Sequence, residues 1–87
     1  MELILFSSGR CAVCAPLREK LEKLSKELEV AFREVKIEEN PQEAAQRLIF
    51  SAPTVVLEEG GREVARWSGV FSVEQIRERV ELLKDAV

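Results

Sequence analysis

Cys11 and Cys14 are the only two cysteines in this 87-residue chain, and they stand together as Cys11-Ala12-Val13-Cys14. Two thiols this close in sequence can close a disulfide, exchange it with another, or share a metal ion. The residues around them favour the first two. Leu3-Ile4-Leu5-Phe6 is a short apolar run that ends in Ser7-Ser8-Gly9, the pattern of a buried strand entering a loop. After the cysteines, leucines at 17, 21, 24 and 28 recur at helical spacing. The thiols are therefore presented where a strand hands over to a helix N-terminus. Unpaired backbone N–H groups and the helix dipole favour negative charge at that point, and Arg10 adds a cation beside Cys11. A cysteine so placed can have its pKa lowered from about 8.5 into the range of roughly 3.5–7.5, which makes it a thiolate nucleophile near neutral pH. Cys11 is the expected attacking sulfur, and Arg10 the candidate for tuning it.

The elements that must hold this pair follow in order. A first strand covers Glu2–Phe6, apolar on successive residues as a strand covered on both faces should be. A helix runs from about Val13 to Leu28, with Pro16 in its first turn, where a missing N–H costs little. Glu19/Lys23 and Glu22/Lys26 are i,i+4 pairs on its outer face. A second strand, Ala31–Ile37, places Val35 and Ile37 between charged residues. Asn40-Pro41-Gln42-Glu43 reads as a helix start, with Asn40 as cap and Ala44, Ala45 and Leu48 packing inward. A third strand covers Thr54–Leu57. Gly60-Gly61 marks a tight hairpin into a fourth strand, Arg62–Trp67, in which Trp67 packs under a helix. Ser72-Val73-Glu74-Gln75 is a second capping box, opening a helix with Val73, Ile76, Val80 and Leu83 inward. The order β-α-β-α-β-β-α predicts an α/β domain spanning 1–87, a four-stranded mixed sheet flanked by three helices.

Composition excludes several function classes. A net charge of −3 and the absence of a basic stripe disfavour nucleic acid. No apolar stretch approaches the roughly 20 residues of a membrane span. The expected location is the cytoplasm, because Leu3–Phe6 is too short for a secretory core and has no basic leader. In that compartment a close cysteine pair is catalytic or metal-binding rather than a structural crosslink.

The chain resembles the thioredoxin/glutaredoxin superfamily over essentially its whole length. Three features carry the likeness: Cys11–Cys14 after the first strand, Ser51-Ala52-Pro53-Thr54 before the third, and Gly69 between the fourth strand and the capped last helix. The resemblance implies a minimal thioredoxin fold and thiol–disulfide exchange with no cofactor. Cys11 would be the nucleophile and Cys14 the resolving thiol. Pro53 would be a cis-proline facing the sulfurs, with Ala52, Pro53 and Thr54 receiving an extended substrate. The implied partners are disulfide-bearing protein substrates, with an upstream reductase or glutathione as electron donor, and the protein acts as a monomer. The sequence departs from the family in carrying Ala-Val between the cysteines, no Trp before them, and no acid evident in the core.

Two other readings use the same residues. Cys11 and Cys14 supply two of the four ligands of a zinc site, so zinc, copper or an iron–sulfur cluster would need a second chain, there being no His. A thioredoxin-fold binding module with regulatory thiols is the other.

Overall fold

Leu3, Ile4, Leu5 and Phe6 are all fully buried. Successive strand residues point to opposite faces, so the strand they form must be covered on both. In the computed structural model, which describes residues 1–85, this strand, β1 (Glu2–Ser7), lies inside the sheet. It runs parallel to β2 (Ala31–Lys36) and antiparallel to β3 (Thr54–Glu59), which pairs in turn with β4 (Arg62–Ser68). The sheet order is β2-β1-β3-β4.

The two faces of β1 seed two cores. Leu3 and Leu5 join Val55 and Leu57 beneath α1 (Cys14–Leu28) and α3 (Val73–Asp85), which contribute Leu21, Leu24, Leu28, Ile76 and Val80. Trp67 packs against this cluster. Ile4 and Phe6 face the other way, toward Val35, Val56 and Ala44 and Ile49, the first of the last two from α2 (Pro41–Gln46). Truncating one such buried leucine to alanine costs about 2–5 kcal/mol, so each face alone can decide whether the domain folds. The fold is the expected four-stranded mixed sheet flanked by three helices.

The local signals are mostly realised. Gly60 and Gly61 both have positive φ (61° and 79°), the backbone a two-residue hairpin requires, and no neighbouring atom would obstruct a side chain at either. Ser72 and Gln75 form the reciprocal capping box: the Ser72 N–H donates to Gln75 Oε1 (2.9 Å) and the Gln75 N–H to Ser72 Oγ (3.3 Å). A bulge between Leu57 and Glu58 leaves Val64 without a partner in the ladder.

Three details differ from expectation. Asn40 makes no side-chain cap; its amide donates instead to the Lys36 carbonyl (3.1 Å), and Glu43 turns to Arg33 (3.0 Å) rather than back to the helix start. On α1, Glu22 is paired with Arg18 (3.7 Å) rather than with Lys26, and Arg18 also reaches Glu34 across the sheet edge (3.5 Å). Lastly, α2 stops at Gln46, and both Ala45 and Leu48 face solvent. Leu48 takes a left-handed φ of 57°, the Leu48 N–H bonds the Ala45 carbonyl and the Ile49 N–H bonds the Ala44 carbonyl. That pair of bonds closes the helix and turns Ile49, not Leu48, into the core.

Candidate active site

The strand-to-helix junction carries the cysteine pair as the sequence implied. Cys11 lies in the loop after β1, Cys14 is the first residue of α1, and the two are joined by a disulfide with their Cα atoms 5.4 Å apart. Cys14 is 5 % exposed, whereas Cys11 keeps contact with solvent beside the exposed Ala12 and Val13. The first turn of α1 holds no acidic side chain and Val13 provides no side-chain cap. The positive end of the helix is therefore left unneutralised next to the sulfurs, a setting that favours thiolate over thiol.

The loop that bears Cys11 is held by hydrogen bonds rather than by packing. The Cys11 N–H donates to the Ser8 carbonyl (3.1 Å), and the Cys14 N–H to the Cys11 carbonyl (3.3 Å). Glu38, from the segment after β2, accepts the Gly9 N–H (2.7 Å) and the Ser8 hydroxyl (3.2 Å). The Gly9 N–H holds the Glu38 carboxyl below its ordinary pKa, helped by the Glu38 N–H, Ser8 and the charge of Arg10. Arg10 itself is exposed, and its backbone N–H donates to Ser8 Oγ (3.2 Å). Its guanidinium makes no ion pair among the described residues.

Pro53 reaches the same end of the sheet because Thr54 pairs with Phe6 in the β1–β3 ladder. The Ala52–Pro53 peptide bond is cis. Pro53 and Thr54 are buried, Ala52 is half-buried, and Thr54 Oγ1 donates to the Ser51 carbonyl (2.8 Å). Gly69, with φ 73°, turns the chain between β4 and α3 close by.

Two cavities flank the start of α1, and of the two the polar one is lined by the cysteines themselves. On one side, Val13, Pro16, Leu17, Pro53, Gly69, Val70 and Phe71 line a mainly apolar groove of about 640 Å³. On the other, Ser7, Arg18, Glu34, Lys36 and Glu38 join both cysteines around a polar cavity of about 380 Å³. Glu34 accepts the Ser7 hydroxyl (2.6 Å) and pairs with Arg18, its side chain 24 % exposed. The sequence shows no acid near the pair, yet the structure brings two. Both were hidden for the same reason: a glutamate on an edge strand or in its following turn reads as solvated surface, and neither has a local sequence partner. The regular alternation of β2 was the only available signal, since it turns Glu34 toward α1 while Arg33 and Val35 face α2. Among the described residues, no group of three or more Cys, His, Asp or Glu side chains is arranged to hold a metal ion.

Comparison with known proteins agrees with this geometry. The chain superposes on thioredoxin 1 from the thermophilic eubacterium Thermosipho africanus TCF52B with a TM-score of 0.93 at 26% identity, over 99% of this chain and 97% of that one. Fasciola hepatica thioredoxin gives 0.82 at 32% identity, over 92% and 77%. A mutant thioredoxin from Halobacterium salinarum NRC-1 shares the fold, with a TM-score of 0.85 at 24% identity over 92% and 71%. No curated protein sequence matches. The thioredoxin family profile matches residues 1–82. With that match, the fold, and Cys11 and Cys14 at disulfide distance, the chain belongs to the thioredoxin family.

Proposed function

We propose that this protein is a thiol–disulfide oxidoreductase that reduces protein or small-molecule disulfides through Cys11 and Cys14. The observation that carries the reading is the disulfide itself, with one sulfur open to solvent and the other buried at the start of α1.

In the reduced protein, the Cys11 thiolate attacks one sulfur of a substrate disulfide. The substrate S–S bond breaks, a Cys11–substrate mixed disulfide forms, and the other substrate sulfur leaves as a thiolate and takes up a proton. Cys14, deprotonated, then attacks Cys11 Sγ and releases the second substrate thiol. Two electrons have passed to the substrate, and the Cys11–Cys14 disulfide remains. A reductase or glutathione supplies two electrons to restore the dithiol. Ala52, Pro53 and Thr54 present an extended backbone edge to the substrate, and the apolar groove beside them receives its side chains. A cytoplasmic setting suits a pair that must be re-reduced after each turnover.

Titration of the pair in defined thiol–disulfide buffers, read by alkylation and mass, tests this reading together with reduction of insulin disulfides. A single two-electron transition at or below about −200 mV, with insulin reduction abolished in Cys11→Ser, is the expected result. Failure of the reduced pair to re-form its disulfide, or full activity in Cys11→Ser, overturns it.

A further inference from the structure

Glu38 lies 27 residues beyond Cys11 in sequence and is exposed, yet its carboxylate spans the gap to the cysteine loop. One oxygen, Oε2, accepts both the Gly9 N–H and the Ser8 hydroxyl. Ser8 then passes the restraint on: its carbonyl accepts the Cys11 N–H, and its hydroxyl oxygen accepts the Arg10 N–H. The bonds made by the Arg10 and Cys11 N–H groups thus both end on Ser8, a residue that Glu38 holds, whereas the Cys14 N–H bond to the Cys11 carbonyl lies outside this path. Gly9 fits the same account. Its φ lies outside the left-handed region, so the backbone does not demand glycine. A β-carbon there would sit 3.2 Å from the Glu38 carboxylate oxygen.

We propose that Glu38 is a positioning residue for exchange at Cys11, pinning Ser8 and Gly9 so that the Cys11 sulfur is held where an incoming disulfide can meet it. The inference rests on the oxidoreductase reading for its catalytic meaning, though the clamp itself can be observed without turnover. Glu38 shares its cavity with Arg18, Glu34, Lys36 and Glu39, and Arg10 adds its charge from the loop. Removing the Glu38 charge therefore shifts the pH midpoint of exchange, and removing the clamp lowers the rate reached when Cys11 is fully thiolate. The two effects separate by substitution. Glu38→Gln keeps an acceptor oxygen without the charge, whereas Glu38→Ala keeps neither.

The experiment measures single-turnover mixed-disulfide formation with a small aromatic disulfide across pH, in a Cys14→Ser background, for both variants. Glu38→Ala is expected to lower the plateau rate by about tenfold, and Glu38→Gln by no more than about twofold, with its midpoint moved to lower pH. Backbone amide exchange at Gly9 and Cys11 is read in parallel on the oxidised protein, and is expected to accelerate in Glu38→Ala but not in Glu38→Gln. Gly9→Ala supplies a second route: its effect on the plateau is expected in the presence of Glu38 and is lost in the Glu38→Ala protein. An unchanged plateau in Glu38→Ala, equal losses in both variants, or unchanged amide protection overturns the proposal. If wild-type Cys11 forms no mixed disulfide, the oxidoreductase reading fails, and the amide data alone then decide whether Glu38 holds the loop.

Discussion

Cys14 lies buried at 5 % exposure behind Cys11, which is only half-buried and lines the polar cavity. An external disulfide can therefore reach Cys11 first, and Cys14 can reach only what Cys11 has captured. Cys14→Ser is expected to accumulate a one-to-one mixed disulfide through Cys11 when incubated with an oxidised substrate, visible as a mass shift that dithiothreitol reverses. Cys11→Ser is expected to trap far less. Equal trapping by the two variants would reverse the assignment of nucleophile and resolving thiol.

Leu48 occupies a left-handed position, φ 57°, at the end of α2 while its side chain is 70 % exposed. A branched side chain gains nothing there and bears the strain that glycine avoids. Leu48→Gly is expected to raise stability by about 1 kcal/mol in urea melts. Destabilisation would show that the exposed leucine contributes a contact that outweighs its backbone.

Arg66 on β4 ties down the segment that leads from α2 to Pro53. Its guanidinium donates to the carbonyls of Arg47 (2.6 Å) and Leu48 (3.2 Å) while Glu63 anchors it at 2.7 Å. Lysine cannot reproduce this planar fork. Arg66→Lys and Arg66→Ala are both expected to lose about 1 kcal/mol of stability, with increased amide exchange confined to residues 47–52. Loss only in the alanine variant would mean that charge, not geometry, holds the segment.

Val70 is fully exposed and lines the apolar groove next to Pro53. Exposure leaves it free for substitution without a folding cost. Val70→Asp is expected to raise KM for insulin disulfides about fivefold, corresponding to about 1 kcal/mol of lost uniform binding, with kcat maintained. A small aromatic disulfide is expected to be reduced as before. Equal effects on both substrates would remove the groove from polypeptide recognition.

The Glu38 carboxyl titrates below the ordinary value because the Gly9 N–H, first of its partners, favours the charged form. A lowered folded-state pKa means that the unfolded chain binds its proton first as pH falls. The stabilisation is therefore complete above the ordinary glutamate value, about 4.3, and is lost as pH drops through the lower folded-state value. Wild type is expected to be more stable than Glu38→Ala at pH 7, and the difference is expected to shrink as pH falls below about 4.3. A gap that stays constant into acid would mean that the carboxylate's charge is not what the loop uses.

The fold was legible because its signals are periodic. Four consecutive apolar residues in β1, a leucine stripe in α1, Gly60-Gly61 and the Ser72–Gln75 box each specify an element from within a few residues. The end of α2 was not legible, because Leu48 stands where glycine is usual and nothing in the sequence marks it as left-handed. Ile49 could not be separated from Leu48 by type. In the site, Cys11, Cys14 and Pro53 were visible through their chemistry and order. Glu34 and Glu38 were not, since their partners Ser7, Ser8 and Gly9 lie 27 to 30 residues away and only sheet register brings them together.

That register also makes the two ends of the sheet unlike as engineering sites. Thr54 pairs with Phe6 at the redox end, so Pro53 and the cysteine loop inherit their spacing from a single rung of the ladder. The Gly60-Gly61 hairpin closes the opposite end, about 17 Å along β3 from Thr54. A fluorophore, affinity handle or surface tether placed in that hairpin is carried by the same rigid strand yet remains remote from the sulfurs. The protein therefore has a natural point of attachment through which its redox face can be oriented outward on an electrode or bead.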